Sequence, residues 1–171
     1  RISSVLMAWQ GGMEGGSAAA ELLCGIGNPS GKLADTFAKS LEDYPSTESF
    51  HESDDYVDYA EDIYVGYRYF ETIPQARSKV NYCFGFGLSY TRFAWEIRSI
   101  SEKGGLVSIQ VNVVNTGKYA GKEVVQIYLH APQGLLGKAD KSLCAFEKTR
   151  LLQPGETQLL SFEISMDKQA S

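Results

Sequence analysis

The chain has 171 residues, of which 43% are hydrophobic and 22% charged, and its net charge is −5. The hydrophobic fraction is too high and the net charge too small for a disordered chain, and no apolar run reaches the roughly 20 residues that a membrane helix needs. Because phosphate binding depends on a basic surface, the acidic balance argues against a nucleic-acid partner. We therefore expect a globular protein of one or two domains that binds neither nucleic acid nor membranes.

The three cysteines, Cys24, Cys83 and Cys144, are odd in number and far apart in sequence. This pattern matches neither a disulfide framework nor a zinc site, so we expect buried free thiols, no metal and no cofactor. Free thiols slightly favour a cytoplasmic over a secreted protein. The chain begins with Arg1 rather than Met, which leaves its localisation open.

Residues 42–62 carry nine carboxylates and no Lys or Arg. A run of like charge is typical of a solvated loop, which is the prediction here. Calcium binding is the alternative, because the run includes Glu52, Asp54, Asp55 and Asp58. Their spacing does not follow the alternating Asp or Asn and the central Gly of an EF-hand loop, which disfavours that alternative.

The first third of the chain has the pattern of an α/β unit. Residues 2–9 and 32–37 are short apolar segments that predict strands, and residues 17–24, rich in Ala and Leu, predict a helix between them. A strand, a Gly-rich turn, a helix and a second strand in this order indicate parallel strand pairing.

The Gly-rich turn at residues 11–16 also suggests phosphate binding at a helix N-terminus. However, its glycines do not spell G-x-G-x-x-G, no G-K-[ST] follows, and Glu14 would repel an anion. We therefore expect no nucleotide here, and we expect Glu14 to interact with the positive end of its own helix.

Six of the fifteen residues 56–70 are aromatic, and residues 63–70 have the composition of a strand. Aromatic rings beside carboxylates suit sugar binding, because the C–H faces of a sugar stack on rings while carboxylates accept its hydroxyl protons. Rings in a strand are more often part of a packed core or interface, and both interpretations stay open at this point.

From Phe93 onward the pattern changes. Val107, Ile109, Val111 and Val113 alternate with polar residues, as in a half-buried strand, and residues 123–130 and 158–164 predict two more strands. Strands separated by regular turns, with little helical periodicity, predict a β-sandwich. We place the boundary between the two regions near residues 91–93.

The motifs in the first region occur in a recognisable order. They are residues 9–16 (WQGGMEGG), 28–33 (NPSGKL), 59–70 (YAEDIYVGYRYF) and 84–91 (FGFGLSYT). This series resembles the C-terminal half of family 3 glycoside hydrolases, the β-glucosidase and β-xylosidase group. The later segments 115–117 (NTG), 120–126 (AGKEVVQ), 146–148 (FEK) and 154–156 (PGE) resemble the fibronectin type III-like domain that follows in many of them.

A few positions depart from the family pattern. Gly11 and Ala34 stand where the family often has proline, Cys83 replaces the proline usual before Phe-Gly-Phe-Gly, and Asp62 replaces a frequent glycine. We expect these differences to affect turns rather than chemistry.

The resemblance implies a fold class of two parts. Residues 1–92 would form the C-terminal part of an α/β sandwich domain, and residues 93–171 an all-β immunoglobulin- or fibronectin III-like sandwich lacking its last strand. Members of the family are retaining glycosidases that use two carboxylates, a nucleophile and an acid/base. The nucleophile belongs to a (β/α)8 barrel, and in the three-domain β-glucosidases the acid/base Glu precedes the segment matching residues 9–16. The resemblance therefore implies that this chain contains no catalytic residue.

The function implied by the resemblance is that of one part of a retaining β-glycosidase, a β-glucosidase before other types, acting on terminal β-linked sugars of oligosaccharides or glycosides. The segment would be inactive alone and would line the aglycone side. Glu14, Glu61 and Arg68 are the candidate substrate-binding residues at the rim, with Glu61 and Arg68 as an ion pair. The alternative is a non-enzymatic carbohydrate-binding or adhesion module. Incomplete domain edges also predict association with the missing barrel segment or with a second copy, as a homo-oligomer.

Overall fold

The computed structural model describes residues 2–50, 53–135 and 137–169. The first region contains helices α1 (Gly15–Leu23) and α2 (Tyr67–Thr72), strands β1 (Phe37–Ala38) and β2 (Val80–Tyr82), and 3-10 helices at Leu41–Asp43 and Arg77–Lys79. The second region contains strands β3 (Phe93–Lys103), β4 (Leu106–Asn115), β5 (Val124–Leu129), β6 (Ser142–Lys148) and β7 (Thr157–Ser165), and a 3-10 helix at Asp167–Gln169. His51 and Glu52 of the acidic run lie outside the described residues.

Helix α1 confirms the helix predicted after the Gly-rich turn, although it begins two residues earlier than expected. Its sequence, GGSAAAELL, contains three consecutive alanines, the residue with the highest helix propensity. The helix ends because Gly25 adopts a φ of 73° and donates its N–H to the Leu22 carbonyl.

The described part of the chain contains no helix long and apolar enough to cross a membrane.

The strand predictions for the first region are largely wrong. Residues 2–9 form no strand and are exposed, and of residues 32–37 only Phe37 lies in a strand. The predicted parallel pairing is also wrong, because β1 and β2 pair antiparallel, as do all other strand pairs in the described residues. An apolar segment becomes a strand only where a neighbour accepts its backbone hydrogen bonds, and no described strand pairs with residues 2–9.

Residues 67–70 belong to helix α2 rather than to the predicted strand. Gly66 interrupts the extended run with a φ of 58°, a conformation that glycine adopts without strain. The Tyr69 N–H then bonds to the Gly66 carbonyl and the Ile73 N–H to the Tyr69 carbonyl, at 3.1 and 2.9 Å. The turn buries Phe70, whose exposed fraction is 2%, so tertiary packing decides the structure of a segment with strand composition.

The cysteines are free, as expected, but the prediction that they are buried is wrong. Cys24 and Cys83 are exposed and Cys144 is partly buried. Cys24 directly follows α1, a helix that buries none of its side chains in the described structure. A thiol at its end therefore has no core to enter.

The second region confirms the predicted β-sandwich. Strands β3, β4 and β7 form one antiparallel sheet in the order β3-β4-β7, and β5 and β6 form a second. Strand β4 contains the alternating valines, β5 lies within predicted residues 123–130, and β7 contains predicted residues 158–164. In β7 the core side chains Leu160, Phe162 and Ile164 alternate with exposed neighbours, which is the period expected of a strand with one buried face.

The main hydrophobic core lies between the two sheets. It contains residues from β4, β5 and β7 together with Leu152, namely Val111, Val113, Val125, Leu152, Leu160 and Phe162. Beneath β3 the core reaches Phe93, at the start of the strand, but not the residues that follow it. Trp95 pairs with Val113 across the sheet and so shares its face, yet 68% of Trp95 is exposed.

The buried amide of Asn115 connects the end of β4 to three other segments. Its Nδ2 donates to the carbonyls of Tyr119 and Leu152, at 2.8 and 2.9 Å. Its Oδ1 accepts from the Thr91 hydroxyl at 2.8 Å and from the Gly117 N–H at 3.1 Å. These four bonds use the full hydrogen-bonding capacity of the side chain, so a fully buried polar residue is compensated.

Replacing this amide tests its contribution to stability. Asn115→Ala removes one hydrogen-bond partner from each of two carbonyls, a hydroxyl and an N–H, although the Leu152 carbonyl keeps its bond from Gly121 and the Gly117 N–H keeps its bond to Arg92. We expect a loss of about 3 kcal/mol in the free energy of unfolding. Urea denaturation followed by circular dichroism measures it. The matched control is Asn112→Ala on the same strand, because Asn112 makes no side-chain hydrogen bond within the described residues. Equal losses in the two variants would contradict the assigned role.

Candidate functional site

Glu14 lies at the start of α1, as the sequence predicts. It occupies the N-cap position, where a negative charge is favourable near the positive end of the helix. Its side chain makes no capping hydrogen bond and is exposed to solvent. The Glu14 carboxylate therefore lies at the N-terminus of the helix without a hydrogen bond to it, and it can bind a group outside this chain.

The turn before Glu14 is unusually tight. A side chain on Gly11 would bring its Cβ within 2.6 Å of the Gly15 Cα, so this conformation of the turn requires glycine there. The preceding Trp9 has a φ of 48°, an uncommon conformation for a bulky residue, and 69% of it is exposed. Its ring meets Phe37 of β1 edge-on, with 6.4 Å between ring centroids. The turn thus presents an exposed indole five residues before an exposed carboxylate.

Glu61 and Arg68 flank a turn between the acidic run and α2. Asp62, which stands where the family often has glycine, has a φ of 51°, and aspartate is one of the few residues that tolerates this region. Both Glu61 and Arg68 are half-buried. The predicted ion pair between them is wrong, because within the described structure neither side chain forms an ion pair.

The three predicted rim residues are therefore not joined to one another. No hydrogen bond or ion pair in the described residues links Glu14, Glu61 and Arg68. The described residues also include no group of three or more His, Cys, Asp or Glu side chains placed to hold a metal ion. What the three share is an ionic group with no ionic partner in the part of the chain that the structure describes.

The acidic run forms turns and one short 3-10 segment, and its described residues 54–60 are exposed, which confirms a solvated loop. An open cleft of about 320 Å³ lies beside it, with Glu42, Asp43, Glu48 and Tyr44 among its lining residues. The ring of Tyr44 contacts Phe70 edge-on, and its hydroxyl donates to the Thr36 carbonyl at 3.1 Å. Tyr44 therefore serves the fold and is not available for stacking on a sugar.

The two regions meet along a seam that the sequence did not reveal. The ring of Tyr67 packs against Phe84 and Tyr128, with ring centroids 4.6 and 6.0 Å apart. Its hydroxyl accepts the backbone N–H of Leu143 in β6 at 2.8 Å. Loss of water in this cluster raises the pKa of Tyr128 to about 12. For these rings the packed-interface interpretation is the one that holds, whereas Tyr59 is 83% exposed.

A carboxylate of α2 adds an ionic contact to this seam. Glu71 accepts hydrogen bonds from Lys141, at 2.7 Å, and from Arg77. Desolvation raises the pKa of Glu71, but the hydrogen bonds from the two cations outweigh it, so the pKa lies below its ordinary value. Next to it, the Asp140 N–H donates to the Thr72 hydroxyl at 2.9 Å.

Asn28 forms a second junction between the regions. Its Nδ2 donates to the Ala120 carbonyl, and its Oδ1 accepts from the Ser89 hydroxyl and the Tyr90 N–H, each at 2.9 Å. The sequence identified Asn28 only as part of the family motif at residues 28–33. Composition carries no signal that an amide in a turn reaches a loop 92 residues away, so sequence reasoning missed this contact.

Comparison with known proteins places these features in a family. Residues 1–90 match the family described as "Glycosyl hydrolase family 3 C-terminal domain", and residues 123–171 match "Fibronectin type III-like domain". Beta-glucosidase A of Butyrivibrio fibrisolvens is 59% identical over 100% of this chain and 22% of its own length. A beta-glucosidase of Ruminococcus albus is 50% identical over 95% of this chain and 17% of its own length.

Solved structures agree with these matches. A beta-glucosidase from Paenibacillus barengoltzii superposes with a TM-score of 0.90 at 52% identity, covering 95% of this chain and 18% of that protein. Beta-glucosidase 3B from Thermotoga neapolitana in complex with glucose superposes with a TM-score of 0.85 at 44% identity, covering 92% of this chain and 22% of that protein. The chain spans about a fifth of the length of the relatives it matches.

The depressed pKa of Glu71 predicts a pH dependence of stability. A carboxyl group whose pKa is lowered by folding stabilises the folded state at pH values above its pKa in the unfolded chain, which is near 4.5. It loses this contribution as the pH falls through its pKa in the folded state. We expect Glu71→Gln to be less stable at pH 7 by up to about 1 kcal/mol, because Arg77 and Lys141 are partly exposed, and to approach the unmodified protein below pH 4.

Urea denaturation at pH 7, 5 and 3 measures this difference. Glu163→Gln is the matched control, since Glu163 is exposed on β7 and has no ion pair in the described residues. A destabilisation by Glu71→Gln that stays constant across this pH range would show that the carboxylate charge does not contribute.

Proposed function

Because this chain belongs to glycoside hydrolase family 3, we propose that it is the C-terminal part of a retaining β-glycosidase, specifically a β-glucosidase. The observation that carries the proposal is similarity along the whole chain, 59% identity over its full length to a protein named beta-glucosidase A. In this enzyme the substrate is a β-glucoside or an oligosaccharide with a terminal β-linked glucose. The two carboxylates of the reaction come from outside residues 1–171.

The described side chains support a non-catalytic part in that enzyme. Retaining hydrolysis needs two carboxyl groups roughly 5–5.5 Å apart on either side of a glycosidic bond. Glu71 is engaged with two cations, and the carboxylates beside the open cleft include Asp43, which pairs with Lys79 at 3.3 Å. Their role is to hold the fold while a (β/α)8 barrel, outside this chain, supplies the nucleophile.

Glu14, Glu61 and Arg68 are our candidates for contact with substrate at the rim. None of the three has an ionic partner among the described residues, which supports this role, because an unpaired carboxylate can accept sugar hydroxyls and an unpaired guanidinium can donate to them. Trp9, exposed close to Glu14 in sequence, offers a face on which a sugar ring can stack.

We place the boundary between the two domains at residues 92 and 93. Strand β3 begins at Phe93, and the match to the first family domain ends at residue 90. A homo-oligomer is also part of the proposal, and the exposed face of β3 around Trp95 and Ile97 is the surface that supports it.

The first test is an activity assay of the 171-residue chain. We expect no turnover of an aryl β-glucoside above the rate without protein, because neither catalytic carboxylate is present. Calorimetric titration with cellobiose distinguishes the alternative of a carbohydrate-binding module, for which binding without hydrolysis is the signature. Turnover by the purified chain, or tight binding of cellobiose, would contradict a purely structural role for this part of the enzyme.

The second test concerns the rim residues in the full-length enzyme. Glu14→Gln and Glu61→Gln should raise KM by up to about tenfold, the effect of losing roughly 1.4 kcal/mol of binding, and should change kcat by less than about threefold. Exposed Glu102, on the distal end of β3, provides the control variant Glu102→Gln, for which neither constant should change. A fall of several orders of magnitude in kcat, with folding intact, would make the residue catalytic.

A further inference from the structure

A groove of about 390 Å³ lies where the two family domains meet. Its lining residues come from the turn after α1, the loop before β5, and the segment after β6, and they are Ile26, Gly27, Asn28, Ser30, Ala120, Lys122, Lys148 and Leu151. The volume lies within the range of small-molecule sites. No role for this groove follows from the proposed function.

The walls of the groove are held by hydrogen bonds. Asn28 fastens one wall to the other through the Ala120 carbonyl, at 2.9 Å. Gly121 and Leu152 exchange two backbone hydrogen bonds, of 3.0 and 2.8 Å, beside it. A side chain on Gly121 would bring its Cβ within 2.7 Å of the Asn28 Nδ2, so the two loops approach too closely for a side chain at residue 121. The groove is therefore preformed.

The charge in the groove is one-sided. Lys122 and Lys148 line it, and neither forms an ion pair or a side-chain hydrogen bond within the described residues. The neighbouring carboxylate, Glu123, is already engaged, because its Oε1 lies 2.8 Å from the Nζ of Lys32. Loss of water, followed by repulsion from Lys122 and Lys32, lowers the pKa of Lys148.

Both lysines are exposed to solvent, and an anion bound between them would gain a charge-assisted contact with each. In a chain with a net charge of −5, this local excess of positive charge stands out. The other lining side chains define the size and character of the ligand. Ile26 and Leu151 are exposed apolar groups, suited to the C–H face of a sugar ring, and the Ser30 hydroxyl makes no hydrogen bond among the described residues.

We propose that this groove binds an oxyanion, phosphate or carboxylate, carried by a small sugar-sized molecule. Lys122 and Lys148 hold the anion from two sides, and Ile26 and Leu151 contact the ring. The ligand class is thus an acidic sugar, either a uronic acid or a sugar phosphate. This inference does not depend on the proposed glycosidase function, since every residue it uses belongs to the junction between the domains.

Calorimetric titration of the 171-residue chain at low ionic strength tests the proposal, with D-glucuronate and glucose 6-phosphate as the two probes and D-glucose as the neutral control. We expect at least one acidic sugar to bind and glucose not to bind. The probe that binds identifies carboxylate or phosphate as the favoured anion. Inorganic phosphate, titrated separately, should bind more weakly than glucose 6-phosphate if the apolar wall contributes.

Substitutions then locate the binding site. Lys122→Gln and Lys148→Gln should each weaken binding about fivefold, as expected for the loss of one partly exposed charge pair. Lys103→Gln, at the far end of β3, removes the same charge elsewhere and should have no effect. Unchanged urea midpoints show that the variants fold. The proposal is overturned if neither acidic sugar binds, or if the control variant weakens binding as much as the groove variants do.

Discussion

The buried amide of Asn115 is the interaction on which the β-sandwich depends. Besides its four side-chain bonds, its backbone N–H donates to the Glu156 carbonyl and its carbonyl accepts from Gly155, so a single residue connects the turns at one end of the sheet. A buried amide is stabilising only when all its groups are paired. That condition requires Thr91, two residues before the start of β3, to be in one position. The packing of the sandwich therefore fixes the point at which the chain passes from the first region into the second.

In the first region, another side-chain amide, that of Asn28, holds the residues next to Thr91. Asn28 binds Ser89 and Tyr90, directly before Thr91, and also the loop before β5. Lys32 adds a half-buried contact to Glu123 and donates to the Gly87 carbonyl at 3.2 Å. Glycine at residue 87 allows this approach, because a side chain there would collide with the backbone of Gly31. Asn28 and Lys32, both in the family motif at residues 28–33, therefore hold the first region against the second.

The sequence predicted the second region better than the first. Strand β4 follows its alternating valines because both of its neighbours, β3 and β7, are present and Val111 and Val113 pack in the core. Residues 2–9 have equal strand composition but no described partner, and residues 67–70 form a helical turn because Gly66 reverses the chain and Phe70 is buried. For the candidate site, the position of Glu14 at a helix start was predictable from the Gly-rich turn. The absence of an ion pair between Glu61 and Arg68 was not, because spacing does not fix side-chain direction.

By itself the sequence determined the family, the two-part organisation, the helix after the Gly-rich turn and the strands of the sandwich, since motifs, helix propensity and period-2 alternation are local properties. Only the tertiary structure decided which polar side chains connect distant segments or line the groove. Asn28 and Asn115 look like ordinary turn residues, and Lys122 and Lys148 like ordinary surface charges. Their importance comes from segments distant in the sequence that burial brings within hydrogen-bond distance or into one groove. Such contacts depend on long-range packing, which no local pattern encodes.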